Sequence, residues 1–174
     1  KIFSMVAPGT PLYEGLENIL RARTGGFVVV GDAPEVISLV RGGFRLDAEF
    51  SPAAMYELAK MDGAIILSSS ADRIVWANAT LAPDPDIPSR ETGLRHSTAE
   101  RVAKMTGQLV IAISQRRSVI TVYMGHTRYV LRDIGVVLAK ANQALQTMSN
   151  YETVFSRALI NLSALEFIEE VTVA

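Results

Sequence analysis

The sequence predicts an α/β protein: one central, twisted, mixed β-sheet covered by helices. Short apolar runs bounded by Gly, Asp or Ser recur along the chain, as buried strands do. Segments with apolar residues at helical spacing lie before, between and after those runs. Two pairs of runs are joined by short polar turns, so the sheet contains hairpins and is not all parallel. At 174 residues and 49% apolar, the chain is long enough for one substantial core and short for two. A single domain spanning residues 1–174 is expected.

Thr10 to Arg23 places Leu12, Leu16, Ile19 and Leu20 on one helical face, after Pro11 in the first turn. Phe27 to Val30, between Gly25-Gly26 and Gly31-Asp32, reads as a short buried strand. Pro34 to Val40 and Ser51 to Lys60 read as helices, the second with Ser51 as N-cap and Pro52 next. Ala64 to Ser68 and Ile74 to Asn78 form strands around the turn SSSAD. Leu81 to Ser89 is irregular, because Pro83, Pro85 and Pro88 forbid a continuous ladder. Thr98 to Met105 is a helix. Leu109 to Ser114, Val119 to Met124 and Arg128 to Leu131 are strands, and the pattern from Asp133 onward is helical, in two pieces that meet near Ser149-Asn150.

Composition narrows the function. Seventeen basic against 18 acidic residues leave a net charge of −1, unlike the basic excess of a domain that coats nucleic acid, so DNA is not an expected partner. With no Cys, disulfides and thiolate metal sites are excluded, and two histidines make a multi-histidine metal site improbable. No apolar run spans a bilayer and KIFSMVAPGTP has no signal-peptide pattern, so a cytoplasmic protein is expected. The chain starts at Lys1 and stops at Ala174 after a helical stretch, as an excised domain would.

Three stretches carry chemistry. Asp62-Gly63-Ala64 opens a buried strand: a carboxylate there can hold Mg²⁺ or Mn²⁺, with Gly63 admitting a ligand to the backbone. Taken alone it reads more readily as a plain Asp-Gly turn before a strand. RETGLRHSTAERVAKMTG sets Arg95 and His96 at a helix start, where unpaired N–H groups and the macrodipole attract anions. Arg95 would neutralise phosphate, His96 contact phosphate or metal, and the N–H groups of Ser97 and Thr98 close the cradle. The bland alternative is a capping box from Ser97 to Glu100. In NATLAP, Leu81 either covers an adenine face or anchors a loop in the core. Arg116, Arg117, Arg128 and Arg132 add positive potential or are simply solvated. No P-loop, dinucleotide fingerprint or nucleophile elbow is present.

In order, VAPGTPLYEGLENILRA, DGAIIL, NATLAPDPDIPSRETGLRHSTAERVAKMTG, LVIAISQRRSVITVY and RYVLRDIGVVLAKANQALQT resemble the diadenylate cyclase domain, in the form carried by bacterial DNA integrity scanning proteins. The likeness covers nearly the whole chain. It implies condensation of two ATP into cyclic di-AMP with release of two pyrophosphates, assisted by Mg²⁺ or Mn²⁺. It further implies homo-oligomers, octamers in the scanning proteins, in which two subunits face each other with one ATP each. The resemblance puts the metal and hydroxyl activation on Asp62, nucleotide contacts on Gly63, Ala64 and Leu81, and the phosphate run on Leu94, Arg95, His96, Ser97 and Thr98.

Two positions depart from the family pattern. Ser97 follows Arg95-His96 where a second Arg is usual, which removes a bidentate phosphate contact. Leu94 stands where Thr is common. A module that binds ATP or cyclic di-AMP with reduced or no turnover is therefore the alternative. The scanning proteins also carry a helical linker and a helix-hairpin-helix DNA-binding domain, and these are expected to be absent from this chain.

Overall fold

Phe27 to Val30 lie at the centre of the sheet, and their side chains alternate between two cores. Val28 and Val30 join one apolar cluster, Phe27 and Val29 the other. A strand buried on both faces needs apolar residues at every position, which is why this run lacks the polar alternation of a half-exposed strand. The computed structural model describes residues 3–131 and 134–167. The chain divides into two compact units, 1–131 and 132–174, each described on its own.

In the first unit, a 3₁₀ turn at Phe3–Val6 leads to α1 (Pro11–Arg21), β1 (Gly26–Val30), α2 (Pro34–Ile37), β2 (Val40–Arg41), β3 (Phe44–Glu49) and α3 (Pro52–Ala59). Then come β4 (Ala64–Leu67), β5 (Arg73–Leu81), α4 (Leu94–Thr106), β6 (Leu109–Ser114), β7 (Val119–Met124) and β8 (Thr127–Leu131). The eight-stranded sheet runs β2-β5-β4-β1-β6-β7-β8, with β3 also paired to β5. Only β1–β4 is parallel; the other pairs are antiparallel, which makes the sheet mixed as expected.

One core holds Leu12, Leu16 and Ile19 of α1 and Met55 of α3 against Val28, Ile65 and Ile111. The other holds α4, through Ala99, Val102 and Ala103, against Ala64, Ala79, Val110 and Ala112. Local signals explain the helix ends. Thr10 and Ser51 cap α1 and α3, accepting from Tyr13 N–H at 3.2 Å and Ala54 N–H at 3.1 Å, and α4 stops at Gly107 in the left-handed conformation.

Several boundaries differ from expectation. The second helix ends at Ile37, because Val40 and Arg41 leave it to pair with Leu81 and Thr80. β3 was not anticipated: all six residues are exposed and its register breaks between Arg45 and Ala48, so it shows no alternation. Leu81 is not in a loop but ends β5, 7% exposed within the α4-side core. α4 begins at Leu94, four residues before the expected Thr98, because the cap is Gly93, which offers no side chain. Ser97 is not an N-cap; its hydroxyl donates to Leu94 O at 3.0 Å inside the first turn.

In the second unit, α5 (Ile134–Phe167) is one helix of 34 residues, so the expected break at Ser149-Asn150 does not occur. Both are tolerated on an exposed helix surface at small cost. Arg132 and Asp133 lie outside the described residues.

Candidate active site

Asp62 is placed by the end of α3. Its N–H donates to Ala59 O at 3.3 Å and its φ is +68°, a left-handed turn that Asp tolerates better than most residues. Gly63 then presses on β5: a Cβ there would lie 2.5 Å from the Asn78 carbonyl carbon. The glycine of this motif is therefore accounted for by close strand packing. Ala64 is fully buried beside it, paired with Ala79. Only the Asp62 carboxylate, 81% exposed, faces outward from the motif.

The first turn of α4 supplies the opposing groups. The N–H of Ser97 closes the first intrahelical bond, to Gly93 O at 2.8 Å. The donors left over at this helix start are therefore those of Leu94, Arg95 and His96, not those of Ser97 and Thr98. Asp62, Leu94, Arg95 and His96 line one cavity of about 420 Å³, completed by Ser114 and Arg116 at the end of β6. A second cavity, about 250 Å³, continues from His96 past Glu91 to Arg116 and Arg117. Gly63, Ala64, Leu81, Ser97 and Thr98 line neither.

Arg95 donates to Asp62 Oδ1 and, at 3.5 Å, to Ile113 O. Its guanidinium occupies the space over Gly25 that any Cβ there would fill. His96 leans edge-on against Tyr123, centroids 6.5 Å apart at 80°. Burial pushes the imidazole below its ordinary value, with Arg95 adding to the effect and Glu91 opposing it. At neutral pH His96 is an uncharged donor and acceptor, and the cationic character of the cavity comes from arginines.

The irregular segment before α4 is tied down from two sides. Glu100 Oε2 accepts from the Ser89 hydroxyl at 2.6 Å and Arg90 N–H at 2.9 Å, while Oε1 pairs with Lys104 at 2.7 Å. Lys104 also donates to Pro88 O, and Arg101 to Ile87 O. Burial raises the Glu100 carboxyl, and these donors outweigh it to hold the group below the usual glutamate range. Glu100 is thus a clamp on the loop and not half of a capping box. On the other side, Glu91 Oε1 accepts from Tyr123 Oη at 2.9 Å and Arg128 Nε at 2.6 Å. Burial and the Glu91 carboxylate push the Tyr123 phenol far up. Sequence reasoning missed Glu91, Gly25 and Tyr123 altogether; the E-T-G just ahead of the helix was the available signal.

Compared with known families, residues 13–128 match the model described as DAC, the nucleotide-binding region of the DisA bacterial checkpoint controller. The chain belongs to the DAC family. Residues 131–174 match the model described as the linker region of the DisA bacterial checkpoint controller. The chain is 63% identical over 166 residues to the DNA integrity scanning protein DisA of Symbiobacterium thermophilum, covering 95% of this chain and 47% of that protein. It is 59% identical over 171 residues to DisA of Clostridium tetani, covering 98% and 48%. It thus spans about half the length of these relatives. In three dimensions it is similar to DacA from Staphylococcus aureus, with a TM-score of 0.60 at 16% identity over 73% of this chain and 87% of that one. That likeness speaks for the fold. Among the described residues, no helix is long and apolar enough to cross a membrane.

Proposed function

We propose that this DAC chain is a diadenylate cyclase unit that condenses two ATP into cyclic di-AMP and two pyrophosphates. The observation that carries the reading is the convergence of the Asp62 carboxylate, the α4 N-terminus with Arg95 and His96, and Arg116 on one open cavity. A triphosphate fits this mixture: unpaired N–H groups and guanidinium for its oxygens, a carboxylate for its metal.

Asp62 is the residue that would hold Mg²⁺ or Mn²⁺. Among the described residues no three acidic or imidazole groups cluster. A lone exposed carboxylate suits an ion that takes its remaining ligands from phosphate and water. Such an ion supplies positive charge to the α-phosphate and acidity to a nearby hydroxyl. Arg95 now neutralises Asp62, and substrate phosphate offers it a competing partner, which frees the carboxylate. The α4 N–H groups, with Arg95 and Arg116, then stabilise the charge that builds on the departing pyrophosphate. In the condensation each 3′-oxygen bonds to the other nucleotide's α-phosphorus as the bond to pyrophosphate breaks. Asp62 and Leu94 are 81% and 83% exposed, so one copy forms half a site that a second copy would close.

Incubation with ATP and Mn²⁺ should give cyclic di-AMP by mass, and Asp62→Asn should give none while retaining the fold. No product at concentrations where copies associate defeats the proposal. One observation favours the weaker-turnover reading: the Ser97 hydroxyl is spent on Leu94 O and offers phosphate nothing. Ser97→Arg distinguishes the readings, since a large gain in rate assigns the native chain to the binding class.

A further inference from the structure

Glu91 is an anion on the wall of a cavity that also holds His96, Arg116 and Arg117. Left free, its charge would repel phosphate. It is not free: Arg128 and Tyr123 both donate to the same oxygen, and its side chain is only 11% exposed. The Arg128 charge cancels it, and Oε1, which accepts both bonds, faces the β7–β8 hairpin. Burial raises its carboxyl, yet these donors hold it below the usual range, so it stays ionised at neutral pH. The residue is therefore a tie rather than a ligand.

What it ties is specific. Glu91 lies two residues before Gly93, the cap of α4, and its own N–H donates to Ser89 Oγ at 3.1 Å, which in turn donates to Glu100. A continuous chain of bonds thus runs from β8 and β7 through Glu91 and Ser89 to the middle of α4. Tyr123, oriented by Glu91, is also the ring against which His96 rests. We infer that Glu91 is a positioning residue: through Tyr123 and Arg128 it fixes the His96 ring and the first turn of α4 at the phosphate end of the cavity. This rests on the cyclase reading for its consequence in turnover, but its structural content stands apart from it.

Two variants test the inference, with a readout that does not depend on activity. Only His96 and His126 contribute imidazole signals, and His96→Gln assigns them. Glu91→Ala should shift the His96 ring resonances and leave those of His126 in place. Tyr123→Phe removes one hydroxyl without changing the packed volume, and should shift the same signals even if Glu91→Ala does not fold. If the unaltered chain makes cyclic di-AMP, both variants should lower kcat/KM about tenfold or more, as a displaced reacting geometry does, and Glu91→Gln, which keeps an accepting oxygen, should recover part of it. A His96 signal unmoved in the folded variants overturns the inference whatever the activity. A chain that makes no product while the signal moves overturns the cyclase reading and leaves the tie in place.

Discussion

Two irregular segments flank the same cavity, and they are built in opposite ways. Residues 82–93 have no regular structure, yet Glu100, Lys104, Arg101, Tyr123 and Arg128 all bond to them. The β6–β7 turn, Gln115 to Ser118, is exposed and is held by Arg117 N–H to Ser114 Oγ at 3.2 Å. The first is preorganised, with its ordering entropy spent during folding. The second keeps Arg116 and Arg117 free to follow a ligand. The contrast teaches that absence of secondary structure is not looseness; what matters is where the backbone groups find partners.

Glu100→Ala should have the largest effect. It removes one member of a partly buried pair, leaves Lys104 with Pro88 O as acceptor but no countercharge, and leaves the Ser89 hydroxyl and Arg90 N–H without an acceptor, costing about 3 kcal/mol; thermal unfolding would read it, and an unchanged Tm would mean the loop holds itself. Arg116→Ala should leave Tm nearly unchanged while raising the ATP KM roughly tenfold, about 1.4 kcal/mol. A marked fall in stability would show that this turn is structural after all. The smallest effect is acid sensitivity. Glu91 and Glu100 titrate below the ordinary glutamate value of 4.5 in the fold and near it when unfolded. Their contribution is therefore complete above that pH and is lost as pH falls through the folded values. Glu100→Ala should flatten that acid limb of stability, and an identical limb in both proteins would detach the loop from it.

The sequence was easiest to read where burial is two-sided or a cap has a side chain. The apolar runs of β1, β4, β6 and β7 and the Ser51 cap stand where the sequence placed them. The reading failed where a neighbour decides. β3 is a strand because β5 pairs with it, not because Phe44 to Glu49 alternate. α4 is capped by a glycine, so the visible Ser97 drew the start too far along. In the site, Asp62, Leu94, Arg95 and His96 do share a cavity. Leu81 was placed by loop composition, whereas its pairing with Val40 buries it. Glu91 was invisible because its partners are 32 and 37 residues away, a separation no local pattern carries.

The methyl groups beneath α4 set a mechanical tolerance. Ala99 and Ala103 share one buried cluster with Ala64, Ala79 and Ala112, so the bed between α4 and the sheet is built partly from methyl groups. The leading end of the helix carries Arg95 and His96. Thickening the bed by a carbon or two, far from any reacting atom, would tilt that end and detune the chemistry. Selection on these alanines would then act through the calibration of a distance, as well as through stability.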